Sequence, residues 1–136
     1  MAISGPGRGY TIDPNASAFL LAGDETAIPA ISQLLETLPH VPVNVHVEIT
    51  RPDARLELPL HPGSDISWHV TSEETALGDR LLTAIESADL TPSTHIWAAG
   101  EAAAMHRIRR HLFEKRNVPR SHATVRGYWK YGRTGS

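Results

Sequence analysis

The sequence predicts an α/β domain with a parallel sheet. Apolar runs of strand length alternate with helical patterns along the chain, and this alternation is typical of parallel sheets joined by right-handed crossovers. The first run, residues 18–22, is continuously apolar, as a strand covered on both faces should be. With 136 residues, the chain is long enough for one domain with a substantial core.

The first strand leads into a helix. Gly23 is expected to break the strand, and a helix is predicted over residues 27–38, with Pro29 in its first turn, where a missing amide costs little. Apolar side chains recur at spacings of three and four and so form one stripe on this helix: Ile28, Ile31, Leu34, Leu35 and Leu38. The turn between strand and helix is a candidate ligand site, because open α/β sheets bind ligands at the carboxyl ends of their strands.

The later elements repeat the pattern. Residues 43–49 alternate apolar and polar side chains, which predicts a second strand with one drier and one wetter face. Further strands are predicted over residues 66–70, 95–99 and 123–127, and Gly100 is expected to break the fourth strand. Helices are predicted around the apolar stripe of residues 77–85 and over residues 101–115. Residues 62–65 are expected to form a turn, and residues 56–58 a short extended piece.

Composition and motifs exclude several classes of function. The net charge of −2 gives no general drive toward nucleic acid, and no apolar run approaches the ~20 residues of a membrane span. The absence of cysteine excludes disulfides, thiolate metal sites and a cysteine nucleophile, and it fits a cytoplasmic protein. No HExxH or GxSxG motif occurs, so neither a metal site nor a hydrolase triad is expected.

Three stretches carry a family resemblance. Residues 20–31 read LLAGDETAIPAI, residues 97–102 read WAAGEA, and residues 127–132 read GYWKYG. In sequence, order and spacing they resemble the siderophore-interacting proteins, which are flavin-dependent ferric-siderophore reductases. The resemblance covers nearly the whole chain but only the C-terminal, nucleotide-binding half of such a reductase.

The resemblance implies a fold and a function. The expected fold is a five-stranded, Rossmann-like parallel sheet of order 3-2-1-4-5 with flanking helices, of the ferredoxin-reductase NADP-domain type. The expected function of the parent protein is to pass hydride from NADPH or NADH to a flavin, and electrons from the flavin to a ferric siderophore, releasing Fe(II). Residues 16–136 would be the NAD(P)H-binding domain, and its partner would be a flavin-binding barrel of the same protein that holds most of the FAD.

The start of the chain fits this division. Residues 1–15 contain five glycines and prolines between positions 5 and 14, a density that predicts a loop or linker. We interpret this segment as a mobile tail here and as the remnant of a linker to the missing barrel in the parent protein. No catalytic residue is expected in this chain alone, which would then be inactive by itself.

Two glycine-containing turns supply the candidate cofactor residues. In the first, Gly23, Asp24, Glu25 and Thr26 are expected to face the diphosphate, with Thr26 capping the helix. Carboxylates repel phosphate, so an alternative is that Asp24 and Glu25 only complement the helix dipole. The second turn offers Gly100 and Glu101, which the resemblance places at the nicotinamide end of the cofactor; Glu101 has the same structural alternative.

Three further positions concern cofactor choice and substrate. Arg51, after the second strand, is the leading candidate for the 2′-phosphate of NADPH, with Ser72 second. The arginine expected near the end of the third strand is missing, which weakens a preference for NADPH over NADH. After the fifth strand, Trp129 could stack on the flavin or simply cover the core. Lys130 and Arg133 could supply charge for the flavin or an anionic siderophore.

Two other classes of function stay open. The chain could be a stand-alone nucleotide-binding or protein-interaction module without redox activity, or an α/β domain that binds an unrelated anion. The three motifs favour the reductase half.

Overall fold

A five-stranded parallel sheet forms the centre of the molecule. The computed structural model describes residues 3–4, 11–59, 61–71 and 77–130. Within them the strands of this sheet are β1 (Ala18–Asp24), β2 (Val43–Ile49), β3 (Ser64–Val70), β4 (Thr94–Glu101) and β5 (Ala123–Trp129). Their order is β3-β2-β1-β4-β5, and all four pairings are parallel. The predicted order 3-2-1-4-5 is therefore confirmed.

Three helices pack against the sheet. A 3₁₀ turn, Glu25–Ala27, leads into α1 (Ile28–Thr37), whereas α2 is Asp79–Glu86 and α3 is Ala102–Arg110. The long final helix of the prediction does not stay α-helical to residue 115, because α3 continues as a π-helical segment, His111–Lys115. Pro29 stands in the first turn of α1, as predicted.

The sheet buries apolar side chains on both faces. On one face Phe19, Leu21 and Trp97 pack with Ile31 and Leu34 of α1. On the other face Leu20, Ala22 and Ile96 pack with side chains of α2 and α3. β1 is therefore covered on both sides, which explains why its sequence is apolar without alternation.

Neither Gly23 nor Gly100 breaks its strand, and these two predictions are wrong. Each glycine is needed for close approach instead. A Cβ on Gly23 would lie 2.5 Å from the Cβ of Ala27, so glycine lets the 3₁₀ turn pack directly on β1. A Cβ on Gly100 would lie 2.7 Å from Oδ2 of Asp24. The missing side chain at position 100 thus makes room for a carboxylate from the neighbouring strand.

Three smaller predictions also need correction. Ser64 and Asp65 belong to β3 rather than to the predicted turn, and residues 56–58 form no strand. The predicted N-terminal loop is interrupted by a short antiparallel pairing of Ile3–Ser4 with Thr11–Ile12. Elsewhere the strand predictions are close, and residues 43–49 match β2 at both ends.

Candidate functional site

The candidate site lies at the carboxyl ends of the strands, where β1 stands between β2 and β4. This is the point at which the strand order reverses, and open α/β sheets form a ligand crevice there. The edge brings together most of the cofactor residues predicted from the sequence: Gly23, Asp24, Glu25, Thr26, Gly100, Glu101 and Trp129. We refer to these residues, with Glu48 and Thr50 of the β2 end, as the carboxyl edge.

Asp24 is the centre of the carboxyl edge. Its Oδ1 accepts hydrogen bonds from the amide of Thr26 at 2.9 Å and from the Thr26 hydroxyl. Its Oδ2 accepts from the amide of Glu101 at 3.0 Å and from Nε1 of Trp129 at 2.8 Å. Four donors from three segments therefore converge on one carboxylate. The predicted capping role of Thr26 is wrong, because Asp24 is the cap and Thr26 is a donor to it.

Glu25 and Glu101 also satisfy backbone amides. Glu25 accepts from the amide and hydroxyl of Thr50, at 2.6 and 2.8 Å, and so ties the β1 turn to the end of β2. Glu101 is 6% exposed and caps α3, accepting from the amides of Ala103 and Ala104 at 2.9 and 3.0 Å. The structural alternative noted for Glu101, an acid at the start of a helix, thus describes its geometry in this structure.

Glu48 is a fourth carboxylate of this edge, and the sequence analysis missed its role. It is 3% exposed, and its Oε1 accepts from the amide of Gly78 at 2.8 Å, ahead of α2. Burial is the main cause that raises the pKa of Glu48 above its usual value, while the amides of Gly78 and Arg80 act in the opposite direction. Its place on the wetter face of β2, opposite the apolar face that packs with α1, was the available signal.

Two arginines flank the ends of β2 and β3. Arg51 is exposed directly after β2, and its Nε lies 3.4 Å from a carboxylate oxygen of Asp53. Arg80, in the first turn of α2, lies close enough to His69 of β3 to help lower the pKa of that histidine, after burial as the main cause. Arg80 thus supplies a cation near the end of β3, where the arginine expected from the family resemblance is missing. Ser72, the second candidate for the 2′-phosphate, lies outside the described residues.

A pair of histidines adjoins this second arginine. Nδ1 of His46 and Nε2 of His69 are 3.0 Å apart, and burial is the first cause that lowers both pKa values. A cleft of about 350 Å³ opens beside them between β3 and α2, lined by His69, Asp79, Arg80, Thr83, Ala84 and Ser87. Within the described ranges no group of three histidine or acidic side chains could hold a metal ion.

The end of β5 presents aromatic side chains at the surface. Tyr128 is 41% exposed and contacts Trp97 edge to face, whereas Trp129 is 36% exposed and folds back onto Asp24. Trp129 does not cover the core, because its ring lies at the carboxyl edge. Lys130 follows it and is exposed, and Arg133 lies outside the described residues.

The carboxyl edge does not fit a diphosphate in this arrangement. In nucleotide-binding α/β folds the amides after β1 face the phosphates. Here the amides of Thr26, Thr50, Glu101 and Gly78 all donate to carboxylates of the chain itself. The Asp24 carboxylate, moreover, occupies the space between the β1 turn and β4. A phosphate at this point would meet a negative charge instead of unpaired donors.

No helix in the described part of the chain has the length and the apolar character needed to cross a membrane.

Comparisons with known proteins identify the family. The profile of the family described as siderophore-interacting protein matches residues 16–132. An uncharacterized protein of Mycobacterium tuberculosis is 35% identical over 145 residues, which cover 97% of this chain and 51% of that protein. The mycobactin import ATP-binding/permease protein IrtA of the same species is 30% identical over 135 residues, covering 98% of this chain and 15% of IrtA. The chain therefore spans about half the length of the first relative and a small part of the second.

Solved structures agree with the fold and the family. A siderophore utilization protein from T. fusca superposes with a TM-score of 0.78 at 34% identity, over 92% of this chain and 49% of that one. A cytochrome P450 reductase of Amycolatopsis superposes with a TM-score of 0.57 at 14% identity, over 82% of this chain and 37% of that one, and supports the fold alone. The sheet is thus of the ferredoxin-reductase NADP-domain type, and the chain belongs to the siderophore-interacting protein family.

Proposed function

We propose that this chain is the nicotinamide-nucleotide-binding half of a flavin-dependent ferric-siderophore reductase. The whole protein would use NADPH or NADH to reduce a flavin and then a ferric siderophore, from which iron leaves as Fe(II). The observation that carries this proposal is the ferredoxin-reductase-type sheet of a chain in the siderophore-interacting protein family, with an exposed aromatic pair beside its carboxyl edge.

The exposed aromatic pair supports a flavin-binding partner domain. Tyr128 and Trp129 lie together at the end of β5, and large aromatic surfaces are buried between domains more often than left in water. In the parent protein, a barrel preceding residues 1–15 would hold most of the FAD and place its ring against Trp129. The described residues of the chain form only the sheet, its helices and a short ribbon. A separate flavin domain is therefore needed in this proposal.

The names of the relatives support a siderophore as the substrate of the whole protein. IrtA is named for mycobactin import, and the T. fusca protein for siderophore utilization. Lys130, exposed directly after Trp129, would attract an anionic ferric siderophore toward the flavin, and Arg133 would add a second charge. A cationic side chain raises the local concentration of an anionic substrate without forming a dedicated pocket.

The adenosine end of the nucleotide would lie over the ends of β2 and β3. Arg51 is exposed there, and we propose it as the contact for a 2′-phosphate, with Ser72 as a second partner. Arg80 supplies a further cation near the end of β3. Two arginines of this kind favour NADPH over NADH, since a guanidinium pairs well with a phosphate.

Titration with nucleotides tests this proposal. We expect NADPH and NADH to change the tryptophan fluorescence of the chain with weak, saturable binding, because Trp129 lies at the carboxyl edge. ATP at the same concentrations serves as the control for general binding of a nucleotide triphosphate. Binding of ATP as tight as that of NADPH would contradict a nicotinamide-nucleotide domain.

A second candidate has support from one observation. The four carboxylates of the carboxyl edge satisfy its amides without any ligand, as expected of an interaction module that has no redox role. In that case neither NADPH nor NADH would bind at millimolar concentration, and the aromatic pair would be the interaction surface.

A further inference from the structure

The conflict between Asp24 and a diphosphate has a specific consequence. The two oxygens of Asp24 are bound by two backbone amides, one hydroxyl and one indole N–H. Such a set of donors, at the start of a helix and beside a neighbouring strand end, is also what two oxygens of a phosphate would take. The Asp24 carboxylate thus occupies the position that a phosphate of the nucleotide would take.

We propose that Asp24 is an internal competitor for the diphosphate of the nucleotide, and that displacing Asp24 breaks its hydrogen bond with Trp129. The inference rests on the proposed function, because it assumes that a nicotinamide nucleotide binds at the carboxyl edge. A diphosphate can take the amides of Thr26 and Glu101 only when the Asp24 carboxylate turns away from them. Nucleotide affinity is therefore lowered by the free energy of breaking these contacts.

Three features favour the displacement of Asp24. It is only half-buried, its Thr26 partner is exposed, and no cation contacts its carboxylate among the described hydrogen bonds and ion pairs. Glu101 differs, because it is buried and bound to two amides at the start of α3, so it stays in place.

The contact with Trp129 couples the nucleotide to the aromatic surface. Nε1 of Trp129 lies 2.8 Å from the same oxygen that accepts from the Glu101 amide. When Asp24 turns away, the indole loses this acceptor. Occupancy of the nucleotide site would thus remove one hydrogen bond from the ring that we propose to face the flavin, and would change the surroundings of its indole N–H.

The test compares substitutions of neighbouring carboxylates. Asp24→Asn keeps one acceptor oxygen for Thr26 but offers no second acceptor for Glu101 and Trp129, and Asp24→Ala removes the carboxylate from all four donors. Glu25→Gln is the matched control: it removes the same charge one residue away, yet its partner is Thr50. Calorimetric titrations with ADP and NADPH measure affinities that include the diphosphate. A titration with adenosine, which lacks phosphate, measures the affinity of the remainder of the site.

We expect both Asp24 variants to bind ADP and NADPH about tenfold more tightly than the unmodified chain, since contacts of a charged group must otherwise be broken. Adenosine should bind all variants equally, and Glu25→Gln should change the ADP affinity far less. In NMR spectra, ADP should shift the indole N–H signal of Trp129 in the unmodified chain to near its position in Asp24→Asn. A Trp129→Phe variant assigns that signal.

The outcomes separate this inference from the proposed function. Equal tightening by Glu25→Gln would mean that only net charge matters, and it would overturn the competitor role of Asp24. Weaker or unchanged ADP binding by both Asp24 variants would overturn that role as well while leaving nucleotide binding in place. Failure of every variant to bind ADP or NADPH would overturn both this inference and the proposed function.

Discussion

At the scale of single residues, four carboxylates accept hydrogen bonds from backbone amides at the carboxyl edge. Asp24, Glu25, Glu48 and Glu101 each accept from an amide that no strand or helix partner satisfies. Buried amides without a partner are costly, and a carboxylate satisfies them with stronger, charge-assisted bonds. Because these bonds connect the ends of β1, β2 and β4 to neighbouring turns and helices, the edge keeps its shape without a ligand.

Glu48 predicts a dependence of stability on pH. Burial raises the pKa of Glu48 in the folded state above its unfolded value. Its contribution to the free energy of unfolding is therefore complete below the unfolded pKa, where Glu48 is protonated, and is lost as pH rises through the folded pKa. Glu48→Gln keeps an acceptor for the Gly78 amide and cannot ionise. We expect the melting temperature of this variant to equal that of the unmodified chain near pH 4 and to exceed it at pH 7. A stability gain of 1 kcal/mol would raise the melting temperature by roughly 2–4 °C.

Exposed Glu36, on α1, supplies the control for this measurement. Glu36→Gln makes the same substitution at an exposed glutamate and so controls for the loss of one carboxylate. A loss of stability for Glu48→Gln that is the same at pH 4 and pH 7 would mean that ionisation of Glu48 is not what limits stability.

Arg51 predicts a preference between nucleotides. It is exposed after β2, where the 2′-phosphate that distinguishes NADPH from NADH would lie in this proposal. We expect Arg51→Ala to weaken NADPH by about tenfold, the value of a charge-assisted contact, and NADH by much less. Arg110→Ala, exposed on α3 and paired with Glu114, is the control of equal charge. Equal losses for NADPH and NADH would show that Arg51 does not contact the 2′-phosphate.

At the scale of elements, the sequence predicts the sheet better than its ends. The alternation of residues 43–49 and the apolar run of β1 identify strands because each records which faces are covered. Gly23 and Gly100 mislead for the opposite reason. Their small size serves contacts with Ala27 and Asp24, which come from tertiary packing and leave no local pattern. Glycine alone therefore does not distinguish a turn from a close approach within a strand.

The site shows the same division. The sequence places Asp24, Glu101 and Trp129 at strand ends, and the parallel order brings these ends to one edge. Their mutual hydrogen bonds span 77 and 105 residues of sequence, and no motif or spacing reports such contacts. Arg80 was missed for a related reason, since it reaches the end of β3 from the following helix.

Gly78 allows α2 to pack closely against α3, and replacing this glycine should lower stability. Its φ of +86° is a left-handed conformation, and an added Cβ would lie 2.2 Å from the Cβ of Ala104 on α3. We expect Gly78→Ala to lower the free energy of unfolding by about 2–4 kcal/mol through backbone strain and overpacking. Denaturant unfolding measures this loss.

A double-mutant cycle separates the two causes. Ala104→Gly removes the atom that collides, so Gly78→Ala should cost less in that background than in the unmodified chain. The same cost in both backgrounds would mean that backbone strain alone accounts for the loss.

At the scale of the whole molecule, the chain corresponds to about half the length of two of its relatives. It covers 51% of its M. tuberculosis relative and 49% of the T. fusca structure, and its exposed aromatic pair lies beside the carboxyl edge. In the proposed function two parts must meet: the carboxyl edge, which would hold the nucleotide, and the flavin-binding domain. The family and the sheet support such an arrangement.

Reduction of a ferric siderophore by NADPH is the decisive measurement for the proposed function. An Fe(II)-specific chelator reports the product, first with the purified chain and then with the chain joined to the flavin-binding domain of a family member. We expect a colourless chain with no turnover, and NADPH-dependent Fe(II) formation once the flavin domain is joined, because the covalent link supplies the effective concentration that docking needs. A chain that is purified with bound flavin, or that forms Fe(II) with NADPH alone, would contradict it.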